Sequence, residues 1–253
     1  MGFKIEAACC CHIGKVRKNN EDNFYFDGKY LDVENDGLKV PAYVKTAVKR
    51  GLSYAVFDGM GGENFGEIAS YAAARTMQQA KRSLGEYLIS EKEYLNRLSM
   101  RLNDAVLQAK REQCTDRMGT TLVSLNFCGK SVYVCNIGDS RAYRLRDGEF
   151  LQLSRDHVEH RPGKEHKKAP LTQHLGIDPE DMVIEPYIVK EEMRKNDIYL
   201  LCSDGLTDML NDLEISRLLQ EYPNVEECAE QLVQAALENG GRDNITVIVC
   251  NVN

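Results

Sequence analysis

Four aspartates stand where an apolar run stops or starts. Asp58 closes Leu52–Phe57 (LSYAVF) and precedes Gly59, while Asp204 closes IYLLCS and precedes Gly205. Asp139 closes VYVCNIG, and Asp243 stands just ahead of Ile245–Val249 (ITVIV). A carboxylate at the end of a buried strand loses hydration and needs compensation. In an antiparallel sheet the start of one strand lies beside the end of its neighbour, so Asp243 can converge with the other three. Carboxylates without His or Cys suit hard cations such as Mg2+ and Mn2+. The adjacent glycines let backbone carbonyls approach the same ions. One Asp-Gly alone reads as a turn, but four acids at matched strand ends read as a multi-metal carboxylate site.

A second group, Arg17-Lys18-Asn19-Asn20-Glu21-Asp22, precedes the aromatic run Phe24-Tyr25-Phe26. A guanidinium can grip a phosphate bidentately, and nearby acids can hold water around an ion. Taken alone the segment reads as a charged turn.

The elements that must position these groups are apolar runs of strand length at Leu52–Phe57, Thr120–Phe127, Val132–Ile137, Ile198–Cys202 and Ile245–Val249. Helical spacing covers 66–84 and 90–113, with Ser90 and Glu93 placed as a capping box. It covers 211–222 and 224–238 as well, parted by Pro223. Helices arrive in pairs and strands in groups joined by turns such as Asp147-Gly148, so antiparallel sheets with helices packed outside them are expected rather than strand–helix alternation. The polar segment from Asp156 to Pro186 reads as an exposed excursion. Asp32 to Lys49 is longer than a tight hairpin needs and is read as room for an extra strand or a partner surface.

The chain has 253 residues, with 32 Lys plus Arg against 39 Asp plus Glu, a net charge of −7 that argues against a general nucleic-acid binder. With 43% hydrophobic and 28% charged residues the composition is that of a globular protein with a sizeable core. No apolar run approaches the roughly 18 residues that span a bilayer. The start, MGFKIEAACCCHIGK, does not read as a secretory signal, and Glu6 stands where myristoylation wants Ser or Thr. Nine cysteines without a paired CxxC spacing are expected to be reduced thiols, with Cys9, Cys10 and Cys11 alternating faces of a buried strand rather than forming a metal or redox site. The expected location is cytoplasmic.

The motifs RKNNED, VFDGMGG, MGTTLV, NIGDSRAY, LLCSDGLTDML and GRDNITVIV, taken in order from about Gly14 to Val249, resemble the metal-dependent protein phosphatases, the type 2C serine/threonine phosphatases. DGMGG in place of DGHGG resembles their bacterial-type branch. The resemblance implies an α+β fold, a four-layer α-β-β-α sandwich of two mostly antiparallel sheets flanked by helix pairs. It implies one catalytic domain over 1–253 with a shortened flap around 156–186.

It further implies two bridging Mn2+ or Mg2+ ions held by Asp58, the Gly59 carbonyl, Asp204 and Asp243, with Glu21 joining through water. Asp22 matches an acid that orients metal-bound water, and Asp139 the aspartate that holds a third, weaker ion with Asp204. Arg17 matches the residue that grips the substrate phosphate. Arg17, Asp58 and Asp204 are thus the expected catalytic residues. The implied reaction is hydrolysis of phosphoserine and phosphothreonine in proteins, by a metal-bridged hydroxide attacking phosphorus in line. No phosphoenzyme is needed, and the chain is read as lacking the Cys-x5-Arg loop of cysteine phosphatases. The implied partners are a phosphorylated protein substrate and an opposing serine/threonine kinase, with no nucleic acid or membrane, for a monomeric enzyme.

Two departures from the family pattern stand out. Met60 replaces the His proposed elsewhere as general acid, and a thioether donates no proton. About sixteen residues separate His157 from His174, where relatives carry a longer flap. His157, His160, His166 and His174 match no standard zinc spacing and read as a solvated loop. Arg161, Lys164, Lys167 and Lys168 would form a basic rim. Two other readings stand beside the phosphoprotein phosphatase: a catalytically weak phosphoprotein-binding relative, and a phosphatase for small phosphate esters.

Overall fold

Alternating apolar strands assemble into two facing sheets in the computed structural model, which describes residues 2–61, 65–80, 82, 85–159 and 169–253. The strands are β1 (Lys4–His12), β2 (Asp22–Phe26), β3 (Ala42–Ala47), β4 (Leu52–Met60), β5 (Gly119–Thr120), β6 (Leu122–Cys128), β7 (Ser131–Ile137), β8 (Arg141–Arg146), β9 (Glu149–Gln152), β10 (Tyr187–Glu192), β11 (Ile198–Cys202) and β12 (Ile245–Val252). One sheet runs β3-β1-β12-β11-β8-β9; the other runs β10-β7-β6-β4-β2, with β5 paired to β4. Every pairing among these strands is antiparallel.

The helices are α1 (Gly66–Gln79), α2 (Glu91–Glu112), α3 (Asp204–Thr207), α4 (Asp212–Glu221) and α5 (Val225–Glu238). Phe57, Ala73, Leu98 and Leu102 belong to the core that joins α1 and α2 to the β4-containing sheet. Leu200, Leu219, Leu232 and Val249 belong to the core that joins α4 and α5 to the other sheet. Tyr54, Phe127, Tyr199 and Ile248 fill the layer between the sheets. The fold is the expected four-layer α-β-β-α sandwich. No helix among the described residues is long and apolar enough to cross a membrane.

The period-2 rule explains the three consecutive cysteines. Cys9 and Cys11 point into the layer between the sheets, while Cys10 points toward the helices. Apolar matter covers both faces of β1, and a small thiol fits where a larger side chain would overpack.

Helix starts follow the capping rules with one adjustment. Ser90 Oγ accepts from Glu93 N at 3.1 Å, but the Glu93 carboxylate turns to Arg97 Nε at 2.8 Å instead of closing the box. The reciprocal capping box forms at Asn211 and Glu214. The helical stretch over 66–84 ends at Gln79. The Asp32–Lys49 excursion does carry a strand, β3, which extends the sheet beyond β1. Asp147 and Gly148, both at positive φ, turn β8 into β9.

Candidate metal centre

Antiparallel pairing brings the acids to one end of the sandwich. Asp22 opens β2 directly opposite Asp58 near the end of β4. Asp204 follows the end of β11, and Asp243 precedes the start of β12, the antiparallel partner of β11. Asp58, Asp139 and Asp204 line a cleft of about 330 Å³ with Met60, Thr121, Ala169, Pro170 and Leu171.

The glycines after the acids work through close approach, not through turns. Gly59 lies inside β4, where a Cβ would sit 2.1 Å from the Gly66 carbonyl oxygen and 2.4 Å from that of Glu21. Gly205 lies inside α3, where a Cβ would sit 1.8 Å from the Asn244 carbonyl oxygen. Each glycine therefore lets a carboxylate-bearing segment pack against another one. The turn reading of Asp58-Gly59 and Asp204-Gly205 is excluded.

A loop between β1 and β2 brings in Arg17 and Glu21, and Asn244 ties that loop down. The Asn244 side-chain amide donates to the carbonyls of Ile13 and Asn19 at 2.8 and 3.0 Å, while its oxygen accepts from Glu21 N at 2.8 Å. Lys15 N donates to Gly241 O at 2.7 Å, and Gly14 adopts φ +85°, with its Cα side closed off by the Asp243 carbonyl. Held in this way, Arg17 Nη2 reaches Asp243 Oδ2 at 2.6 Å.

The other strand ends are pinned as firmly. Asp58 N donates to Thr121 Oγ1 at 3.0 Å, and Thr120 Oγ1 donates back to Asp58 O at 2.9 Å. Thr121 Oγ1 lies 2.7 Å from Ser140 Oγ, beside Asp139. Arg141 grips Asp156 through Nε and Nη2, with the closest contact at 2.7 Å. His157 accepts from Gly138 N through Nδ1 at 3.1 Å. Residues on either side of 160–168 pair with each other, Thr172 N donating to His157 O and Glu159 N to Pro170 O.

Crowding of like charge marks this end of the molecule. Burial pushes the Glu21 carboxyl up to about 7, the negative charge of Glu67 adds to the rise, and Arg17 opposes it. Asp22, buried, is likewise raised to about 7 by desolvation against two stabilising hydroxyl bonds, with Asp204 and Asp243 adding repulsion. Charges packed so closely carry a repulsion that a divalent cation would relieve. The donor set fits such a cation, since it consists of carboxylate oxygens and backbone carbonyls with no thiol or imidazole. Among the described residues no three His, Cys, Asp or Glu side chains are arranged to hold an ion as they stand. Arg17 sits on Asp243, and hydroxyls sit on Asp22.

The histidine cluster does not assemble among the described residues. His157 and His174 have separate backbone partners, Gly138 N and Leu175 O. His160 and His166 lie outside the described residues, as does the proposed basic rim of Arg161, Lys164, Lys167 and Lys168. The reading that no Cys-x5-Arg spacing is present needs correction, because Cys11–Arg17 and Cys135–Arg141 both have it. Neither forms a phosphate cradle. Cys11 and Cys135 are buried within β1 and β7, burial holds both thiols up at about 12, and the two arginines are turned to Asp243 and Asp156.

The polar supports of the site were missed in the sequence: Asn244, Ser203, Thr246, Thr121 and Ser140, all buried. The available signal was a polar residue at a buried position within or beside an apolar strand, flanking one of the acids. Such a residue needs a hydrogen-bond partner.

Comparison with known proteins gives the family. The family model "Protein phosphatase 2C" matches residues 42–240, a span that contains Asp58, Asp139 and Asp204. The serine/threonine protein phosphatase PstP of Mycobacterium tuberculosis (strain CDC 1551 / Oshkosh) is 32% identical over 252 residues, covering 94% of this chain and 43% of that protein. The chain thus spans less than half the length of that relative. The serine/threonine phosphatase stp of Listeria monocytogenes serovar 1/2a is 30% identical over 251 residues, covering 93% of this chain and 91% of that one. Among solved structures, the catalytic domain of PstP in complex with two manganese ions superposes with a TM-score of 0.77 at 31% identity, covering 99% of each chain.

Proposed function

The chain belongs to the protein phosphatase 2C family, and from that membership we propose that it hydrolyses phosphoserine and phosphothreonine monoesters in proteins, using Mn2+ or Mg2+. The observation that carries the reading is the gathering of Asp22, Asp58, Asp139, Asp204 and Asp243 at one end of the sandwich, with Arg17 on Asp243.

Asp58, the Gly59 carbonyl, Asp204 and Asp243 would hold the pair of ions, with Glu21 in the shell through water. Asp139 and Asp204, which share the cleft under Pro170 and Leu171, would take a third and weaker ion. Bound there, Mn2+ or Mg2+ lowers the pKa of water toward neutrality and offsets charge on phosphate oxygens. Arg17 extends from an exposed loop and presents a planar fork of donors suited to two phosphate oxygens, so it binds and orients the substrate. Asp22, which accepts from Ser203 and Thr246, would orient water held by the ions. Met60 lines the cleft and supplies no proton, so the leaving alkoxide takes its proton from water. Cys and His take no covalent part.

The substrate would be a phosphoprotein modified by a serine/threonine kinase whose action this enzyme reverses, and the enzyme would act as a monomer built from one catalytic domain. All nine cysteines are unpaired, which suits a reducing compartment such as the cytoplasm. The test is a comparison of kcat/KM for phosphothreonine and phosphoserine peptides against p-nitrophenyl phosphate and small sugar phosphates, each with Mn2+. A preference for the peptides of at least tenfold supports the protein phosphatase. A preference for the sugar phosphates replaces it with a small-ester phosphatase, and turnover of none of them with a binding role.

A further inference from the structure

We propose that Ser203 and Thr246 are positioning residues for Asp22, acting on the reaction by locking one oxygen of its carboxylate; the inference rests on the phosphatase reading above. Ser203 Oγ donates to Asp22 Oδ2 at 2.7 Å, and Thr246 Oγ1 donates to the same oxygen at 2.7 Å. The two hydroxyls come from the end of β11 and from β12, whereas Asp22 opens β2 in the facing sheet. Across the sandwich, two charge-assisted bonds therefore converge on a single oxygen.

The direction of each bond follows from proton counting. Ser203 Oγ already accepts from Thr246 N at 3.0 Å, and Ser203 N donates to Thr246 O at 3.0 Å, so the serine hydroxyl is free to donate only toward Asp22. Thr246 Oγ1 also has Cys11 Sγ at 3.2 Å. A threonine hydroxyl carries one proton, and the shorter contact to a carboxylate takes it, which makes the Cys11 thiol the donor to Thr246. Asp22, Ser203, Thr246 and Cys11 are each no more than 2% exposed, so water cannot substitute for a lost hydroxyl.

With Oδ2 engaged twice, Oδ1 is the oxygen that neither hydroxyl holds, and it is the one we assign to the site formed with the neighbouring acids. The arrangement fixes the carboxylate rotamer without using the oxygen that the chemistry needs. A bolt with no catalytic purpose could be replaced by an apolar side chain of similar shape without loss of rate. A positioning pair could not.

The experiment compares Thr246→Val, Thr246→Ser and Ser203→Ala in the parent and in Asp22→Asn, reading p-nitrophenyl phosphate turnover and, independently, Mn2+ affinity by calorimetry. Thr246→Val and Ser203→Ala are each expected to lower kcat about tenfold with KM within about twofold, and to weaken Mn2+ binding by up to about tenfold. Thr246→Ser, which keeps the hydroxyl, returns both to within about threefold. On Asp22→Asn, Thr246→Val and Ser203→Ala add less than about twofold, because the group that they position is gone. Unchanged kcat and Mn2+ affinity in both parent-background variants would overturn the proposal, as would an undiminished further loss on Asp22→Asn. If Thr246→Val does not fold, Ser203→Ala and Thr246→Ser decide the same cycle. A parent that binds Mn2+ but turns nothing over overturns the phosphatase reading, and the cycle is then decided on Mn2+ affinity. A parent that binds no Mn2+ overturns both.

Discussion

Arg17 Nη2 lies 2.6 Å from Asp243 Oδ2, joining the loop after β1 to a residue two positions ahead of β12, the strand that pairs with β1. The arginine side chain is 46% exposed, so solvent screens the pair and it contributes no more than about 1 kcal/mol to stability. Arg17→Ala should therefore shift Tm by less than about 4 °C, while KM for a phosphopeptide rises at least about tenfold and kcat changes less. Thermal denaturation beside steady-state kinetics checks this. A large Tm loss with KM unchanged would make Arg17 a structural tie instead of the phosphate grip.

The raised carboxyls of Glu21 and Asp22 set a pH dependence of stability. Both are lifted to about 7, Asp22 from an ordinary 3.8, chiefly by burial. Between the unfolded and folded pKa values the native state binds more protons than the unfolded chain, so stability falls as pH rises through this window and levels off above about 7. In EDTA, Tm should decline from pH 4.5 to 7.5, and Asp22→Asn should flatten part of that slope. Mn2+ should bind more tightly as pH rises through 7, because it displaces those protons. Equal slopes for parent and variant would remove Asp22 from the account.

Gly205 is the tightest backbone approach in the centre, with a Cβ there only 1.8 Å from the Asn244 carbonyl oxygen. Gly205→Ala must push α3 away from the start of β12 and separate Asp204 from Asp243. Overpacking of this kind costs about 3 kcal/mol, or roughly 10 °C in Tm for a chain of this size. Differential scanning calorimetry reads the loss directly, and a variant as stable as the parent would contradict the packing described.

Thiol chemistry gives a contrasting prediction. Of the nine cysteines only Cys114 is exposed, and Cys128 is half-buried. Iodoacetamide on the native protein should label Cys114 rapidly and Cys128 slowly, leaving phosphatase activity within about twofold. Mass spectrometry of the labelled protein locates the sites. Rapid loss of activity on modification of Cys11 or Cys135 would reopen a cysteine mechanism.

Some features of the fold and the site are legible in the sequence, and others are hidden for physical reasons. β11 and β12 are continuous apolar runs, and an acid beside each end stands out because it breaks the pattern; the antiparallel rule then places Asp204 near Asp243. The helices over 211–222 and 224–238 are legible from their apolar spacing, and each opens on an Asn whose side chain caps it. β10 (YIVKEE) escaped notice because it is an edge strand, half exposed along its length, and carries no strong period. Thr121 divides Thr120–Phe127 into β5 and β6 because its backbone and hydroxyl are both committed to Asp58, a partner 63 residues away. The supports of Asp22 were hidden for the same reason, since a single Ser or Thr in a strand announces no partner in the facing sheet.

The central claim, a carboxylate centre that performs metal-dependent phosphate ester hydrolysis, is tested most directly by one titration. Turnover of a phosphothreonine peptide would be followed as Mn2+ is added to EDTA-treated protein, for the parent and for Asp204→Ala. The account predicts no turnover without metal, saturable recovery with Mn2+ in the parent, and a loss of at least about a thousandfold in the variant with its fold intact. Turnover that persists in EDTA, or an Asp204→Ala protein as active as the parent, would contradict it.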